Sequence, residues 1–75
     1  MENNVEKEAA NITEQLENNP RVTNVTNYNI GVIEFTLENT TVYGFKIPQV
    51  ENWYVENVTN PKNSSEVIIQ LKHVL

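Results

Sequence analysis

Hydrophobic residues in the first quarter of the chain recur at the spacing of an α-helix. They fall three or four positions apart and form one apolar stripe, made of Val5, Ala9, Ile12 and Leu16. This pattern predicts an amphipathic helix over residues 3–18. Asn3 is the predicted N-cap, Glu6 is its capping-box partner, and Pro20 prevents the helix from continuing.

The middle of the chain changes to the alternating pattern of β-strands. Residues 30–47 predict a hairpin with a three-residue loop, because this register places the large apolar residues on one face. The predicted pairs are Leu37 with Thr41, Phe35 with Tyr43, and Ile33 with Phe45. Asn39 or Thr40 would take the left-handed conformation in the loop. Residues 21–27 predict a weaker preceding strand, followed by a turn near Tyr28.

The last third of the chain fits two interpretations. Residues 52–58 are rich in aromatic and β-branched types and residues 66–74 alternate like a strand, but helices that begin at Pro48 and after Asn63 also fit. Their β-branched residues favour strands, because these side chains lose rotamer freedom in a helix. The polar segment 59–65 then becomes a hairpin loop.

Together these elements predict an α+β fold, with the N-terminal helix packed on a small, strongly bent antiparallel sheet of three to five strands. The alternative is a three-stranded sheet with a C-terminal helix. Seventy-five residues without cysteine make one domain, residues 1–75, that no disulfide stabilises. We predict no linker and no internal repeat.

The composition argues against an enzyme. The chain has ten glutamates and thirteen asparagines but no aspartate or cysteine, and one histidine. Ser64 and Ser65 lack a nucleophile elbow, and no aspartate orients His73, which we expect to be an ordinary surface residue. Only Gly31 and Gly44 are present, so no phosphate-binding loop is predicted. We therefore predict no catalytic residues, no metal site and no cofactor.

The charge points to a protein partner. The net charge is −5, and the five basic residues are scattered, which disfavours binding to nucleic acid or to anionic membranes. The polar, acidic start of the chain predicts no signal peptide, and no apolar run reaches membrane-spanning length. Five N-x-[ST] sequons reflect the asparagine-rich composition. We expect a cytoplasmic protein, with a virus or mobile element as a candidate source.

Two sets of residues are the predicted partner-binding surface. An acidic set, Glu34, Glu38 and Glu56, is expected on the solvent side of the sheet. A second apolar set is predicted to point away from the helix and comprises Val32, Val42, Val58 and Ile68, with Ile30 beside them. A small sheet that is partly apolar on both faces either closes into a barrel or buries its second face against a partner or a second copy.

Part of the chain resembles the Sm-like RNA-binding barrels. The order of one helix and several strands is theirs, LEN at 37–39 before Gly44 resembles their first motif, and QLKHVL at 70–75 resembles the end of the bacterial proteins. The resemblance implies an oligomeric barrel that binds nucleic acid. Thr40 replaces the turn glycine and the usual aspartate is absent, so no family is assigned. We predict a non-enzymatic protein-interaction module, an inhibitor or regulator, with the oligomeric barrel as the alternative.

Overall fold

The N-terminal helix forms as its stripe predicts. A computed structural model describes residues 4–61 and 64–74, and its helix α1 spans Asn4–Glu17. The stripe residues Ala9, Ile12 and Leu16 are buried. The backbone N–H of Asn19 bonds to the Leu16 carbonyl at 3.1 Å, which closes the last turn. The predicted cap Asn3 lies outside the described residues.

Four strands form one open antiparallel sheet on which α1 packs. Their bounds are Val22–Asn27 (β1), Val32–Glu38 (β2), Trp53–Thr59 (β3) and Glu66–His73 (β4). Their order across the sheet is β1-β2-β4-β3, so β1 and β3 are the edges. The α+β prediction is confirmed, and both ambiguous segments near the end of the chain are strands. The alternative with a C-terminal helix is wrong, and the sheet is not a closed barrel.

The predicted hairpin over residues 30–47 is wrong. β2 pairs with β1 on one side and with β4 on the other, so both of its edges are occupied. β4 offers Val67, Ile69 and Leu71 on one face, whereas residues 41–45 contain Gly44, which adopts a positive φ of 79°. The left-handed asparagines are Asn29 and Asn52, with φ of 62° and 74°, and neither Asn39 nor Thr40 is left-handed.

Residues 39–52 instead form an irregular connector from β2 to β3. It begins with a short 3-10 turn, Asn39–Thr41, and contributes partly buried side chains to the core, namely Val42, Phe45, Ile47 and Val50. The ring of Phe45 lies 5.8 Å from the ring of Phe35. The alternation that predicted a strand here therefore reflects packing on the sheet, and residues 41–47 do not pair with any of its strands.

One face of the sheet carries the core, and we call it the core face. Its buried residues from the central strands are Ile33, Phe35, Leu37, Val67, Ile69 and Leu71. The helix lies over β1 and β2, while the connector residues Ile47 and Pro48 lie beside Val55 of β3. Within residues 4–61 and 64–74, no helix has the length and apolar character needed to cross a bilayer.

The two halves of the sheet are hairpins with the same edge-strand sequence pattern and the same pairing register. β1 and β2 form a first hairpin, β3 and β4 form a second, and both edge strands carry the same pattern, V-x-N-V-T-N, at 22–27 and 55–60. Val22 pairs with Leu37 as Val55 pairs with Leu71, and Asn24 pairs with Thr36 as Asn57 pairs with Gln70. Each edge strand also has a β-bulge at the variable position of the pattern.

The register makes the relation between the hairpins a two-fold one. Every β2 residue corresponds to the β4 residue 34 positions later, and Phe35 pairs with its own counterpart, Ile69. A pseudo-two-fold axis normal to the sheet therefore passes through the Phe35–Ile69 pair. The prediction that the chain has no internal repeat is wrong.

Candidate protein-binding face

The face of the sheet opposite α1 is uncovered by any described element, and we call it the open face. Strand alternation places polar and charged residues along it, with the buried Thr36 at its centre. Its residues are Asn24 and Thr26 of β1; Val32, Glu34, Thr36 and Glu38 of β2; Glu66, Ile68, Gln70 and Lys72 of β4; and Tyr54, Glu56, Asn57 and Thr59 of β3. A surface rather than a deep cavity is the prominent feature of this side.

The charge of the open face is strongly unbalanced. Its four glutamates are Glu34, Glu38, Glu56 and Glu66, and Lys72 is its one cation. The Lys72 ammonium nitrogen lies 3.5 Å from a Glu56 carboxylate oxygen, so this lysine forms an ion pair within the chain. Among the described residues, no lysine or arginine forms an ion pair with the other three carboxylates.

Glu38 and Glu66 lie directly opposite each other on the paired central strands. Like charges in this arrangement repel and destabilise a sheet. In the described part of the chain, neither residue forms an ion pair with a lysine or arginine. Both line a shallow groove of about 490 Å³, together with Thr23, Asn39, Thr40, Ser64 and Ser65. At this end of the sheet the fold therefore tolerates an acidic pair that no described lysine or arginine neutralises.

At the other end of β2, Glu34 accepts a hydrogen bond from the hydroxyl of Tyr28 at 3.2 Å. Tyr28 follows β1 in the turn of the first hairpin, where Asn29 supplies the left-handed residue. Partial desolvation, this hydrogen bond and the nearby negative charge raise the pKa of the Tyr28 hydroxyl above its ordinary value of 10.0. Tyr28 therefore stays protonated and holds the Glu34 carboxylate in place.

The predicted partner-binding residues divide between the two faces. The structure brings together Glu34, Glu38, Glu56, Val32 and Ile68 on the open face. Val42 and Val58 do not point away from the helix, as the sequence predicted. Val42 belongs to the connector and packs against the core, because 41–47 is not a strand. Val58 pairs with Ile69 on the core face, because the bulge in β3 shifts the alternation by one residue.

A second polar group, on the core face, links the helix to the far strands. The indole N–H of Trp53 donates a hydrogen bond to Glu8 at 3.0 Å, and the Nε2 of His73 lies 3.7 Å from the same carboxylate oxygen. The rings of Trp53 and His73 meet edge to face at 5.4 Å. His73 is thus a partly buried contact residue, and the prediction of an ordinary surface histidine is wrong.

Among residues 4–61 and 64–74, no three histidine or carboxylate side chains converge as metal ligands. His73 contacts Glu8 and Trp53 rather than a serine or threonine hydroxyl. What the open face offers chemically is a set of fixed negative charges on a rigid backbone.

No known protein family matches the chain, and no curated protein or solved structure is significantly similar to it.

Sequence reasoning missed Glu66 as a member of the open face and Tyr28 as the hydrogen-bond donor to Glu34. Glu66 joins Glu38 only through the pairing of β2 with β4, which links residues far apart in the sequence. The repeated pattern V-x-N-V-T-N was the signal that could have revealed this pairing, because it implies two equivalent hairpins.

Proposed function

We propose that the chain is a non-enzymatic protein-binding module, an inhibitor or regulator, whose open face binds a basic surface of a partner protein. The observation that carries this proposal is the Glu38–Glu66 pair, two carboxylates side by side on the paired central strands, neither of which forms an ion pair with a lysine or arginine among residues 4–61 and 64–74. A site that costs stability in the free protein is typical of a surface shaped for a partner.

Charge complementarity selects the kind of partner. Lysine and arginine side chains satisfy exposed carboxylates, and complementary charges speed association and fix its orientation. The partly exposed Val32 and Ile68 lie among the charged residues and add apolar contact. A basic protein surface fits both features, whereas the phosphates of nucleic acid would be repelled.

The test compares two variants that lose the same charge from different surfaces. Glu38→Gln with Glu66→Gln neutralises the open face, and Glu14→Gln with Glu17→Gln neutralises two exposed helix residues. Tagged wild-type and variant proteins are used to capture partners from nuclease-treated extracts of the native host, and captured proteins are identified by mass spectrometry. We expect a basic protein that the wild type and the helix variant retain and the open-face variant loses.

Calorimetry of that partner then measures the affinity. Loss of the two carboxylates should weaken binding about 10-fold or more, with an affinity that falls as salt rises. Equal capture by both variants would contradict the proposal. Binding of labelled RNA or DNA that weakens with salt would favour the nucleic-acid alternative instead.

The same substitutions have an opposite effect on the free protein. Removing like charges that face each other should stabilise the fold by about 0.2–1 kcal/mol at low salt. Urea unfolding measures this change, and the gain should shrink in 1 M salt. A stabilised protein that has lost its partner separates a binding role from a structural one.

A further inference from the structure

The outer edge of β3 is the most exposed backbone in the sheet. Six of its seven residues are exposed, including Val55 and Val58, whose side chains are 41% and 57% accessible. The corresponding valines of β1, Val22 and Val25, are partly buried and pack against the core. An edge that exposes apolar side chains beside free peptide groups is a site at which another strand can add.

Two hydrogen bonds fix which peptide groups of β3 point outward. The N–H of Val74 bonds to the carbonyl of Asn52, and the N–H of His73 bonds to the carbonyl of Gly31. Even-numbered residues of β4 therefore face β3, and odd-numbered residues face β2. In the observed register, Val55 and Val58 lie opposite odd-numbered residues, so their N–H and C=O groups point away from the sheet.

The β-bulge sets the spacing of the free groups on this edge. Outward groups in a regular strand occur every second residue, but in β3 they lie three residues apart in sequence, at Val55 and Val58. The bulge compresses this span to the length of two regular residues, because Val55 and Val58 lie opposite Leu71 and Ile69 of the regular strand β4. A second copy of β3 has the same spacing, so antiparallel pairing places Val55 opposite Val58 of the second copy at both positions.

We propose that the β3 edge binds the β3 edge of a second copy of this chain, in the antiparallel register that pairs Val55 with Val58. The axis of this pair is normal to the sheet, so the four valines meet on the core face. Glu56 then faces Asn57 of the second copy and not another glutamate. No like charges lie directly opposite each other across the new pair of strands in this register.

The other edge of the sheet explains why assembly stops at two copies. β1 has the same bulge, but the N–H of Val22 already donates to the carbonyl of Asn19 at 3.0 Å. The N–H of Trp53 is similarly bonded to Val50 at 3.1 Å, so the free part of β3 begins after it. An isologous pair of β3 edges closes, whereas β1-to-β3 pairing would continue without limit.

The dimer has one consequence for the surface described above. Rotation about an axis normal to the sheet keeps both open faces on the same side, so two acidic faces lie on one eight-stranded sheet. The pairing itself does not depend on the proposed function, because it uses only β3. The Glu38→Gln and Glu66→Gln variant should therefore dimerise like the wild type, and this separates the failure of one proposal from the failure of the other.

Asn57 provides the test of the register. Asn57→Lys creates two pairs between lysine and Glu56 of the opposite copy, and Asn57→Glu creates two repulsive pairs. From the energies of cross-strand charge pairs, the dissociation constant should change about 2- to 30-fold, downward for lysine and upward for glutamate. The matched controls are Asn24→Lys and Asn24→Glu, at the equivalent position of β1, which should leave it unchanged.

Sedimentation equilibrium over a wide concentration range gives the dissociation constants of the full chain. Val58→Lys should abolish the dimer and remain folded by circular dichroism, because this side chain is exposed in the free chain. Amide exchange by NMR should show that the Val55 and Val58 amides become protected as the concentration rises. A monomer at about 1 mM, masses that grow beyond two copies, or equal effects of both Asn57 variants would overturn the proposal.

Discussion

The two hairpins have the same strand register but differ in the element that packs on their core face. Both have the same edge-strand pattern, the same bulge and the same pairing with the neighbouring central strand. Over the first hairpin lies α1, and over the second lies the irregular connector. Val25 is consequently packed against the core, whereas its counterpart Val58 is 57% exposed. Equivalent backbone positions therefore serve the core in one half and the surface in the other.

The central strands differ in charge as well. Glu34 and Glu38 of β2 correspond to Ile68 and Lys72 of β4. Each hairpin contributes two of the four open-face glutamates, but the second also contributes Lys72 and has the exposed edge. The comparison teaches that the repeat sets the fold and that the differences between its copies carry the proposed interactions.

The largest expected effect comes from shortening the two core side chains at the pseudo-two-fold axis, Phe35 and Ile69. Phe35 is fully buried and Ile69 is 4% exposed. Phe35→Ala should cost about 3–5 kcal/mol and Ile69→Ala about 2–5 kcal/mol, because both leave cavities in the shared core. Urea unfolding measures these losses, with Tyr43→Ala, at a 96% exposed site, as the control. A loss below about 1 kcal/mol at either position would show that the hairpins do not share one core.

The second prediction concerns the contact that joins the helix to the second hairpin. Trp53→Phe removes the indole donor to Glu8 and should cost about 1–2 kcal/mol, since hydrogen bonds to charged groups are stronger than neutral ones. A double-mutant cycle with Glu8→Ala isolates the pair. Additive effects of the two substitutions would mean that Trp53 contributes through packing alone.

Val25 and its counterpart Val58 test whether α1 buries the first hairpin more than the connector buries the second. Val25→Ala should cost about 1 kcal/mol, whereas Val58→Ala should change stability by less than about 0.5 kcal/mol in the monomer. Urea unfolding at low protein concentration keeps self-association out of the measurement. Equal losses would show that the connector covers the second hairpin as well as α1 covers the first.

The smallest effect is a pH dependence confined to the first hairpin. Because the pKa of Tyr28 is raised in the folded protein, its contribution to stability is complete below pH 10 and is lost as the pH rises further. Absorbance at 295 nm in a variant with Tyr43→Phe and Tyr54→Phe reports this titration. Adding Glu34→Gln should lower the pKa toward 10. An unchanged titration would rule out the hydrogen bond as a cause.

The helix, the strands at both ends of the chain and most acidic positions could be predicted because local patterns specify them. The stripe of α1 and the alternation in β4 each need only neighbouring residues. The partner of β2 could not be predicted this way, because β4 and residues 41–47 both alternate. The pairing that forms buries Val67, Ile69 and Leu71 of β4 beside β2, through contacts distant in sequence.

The same limit explains the errors at individual sites. Val58 was assigned to the wrong face because the bulge between Val55 and Asn57 reverses the alternation of the residues that follow the bulge. Val42 was assigned to the wrong face because its segment is not a strand. Glu66 joined the acidic surface only when the pairing of the central strands was known.

The pseudo-two-fold register also bears on how the chain folds. Strand partners within each hairpin are near in sequence, but those of β2 and β4 are separated by the whole connector. Closing that long loop costs entropy before any contact between the halves compensates. We therefore expect each hairpin to form rapidly. The pairing of β2 with β4, which brings Phe35 against Ile69, should limit the folding rate.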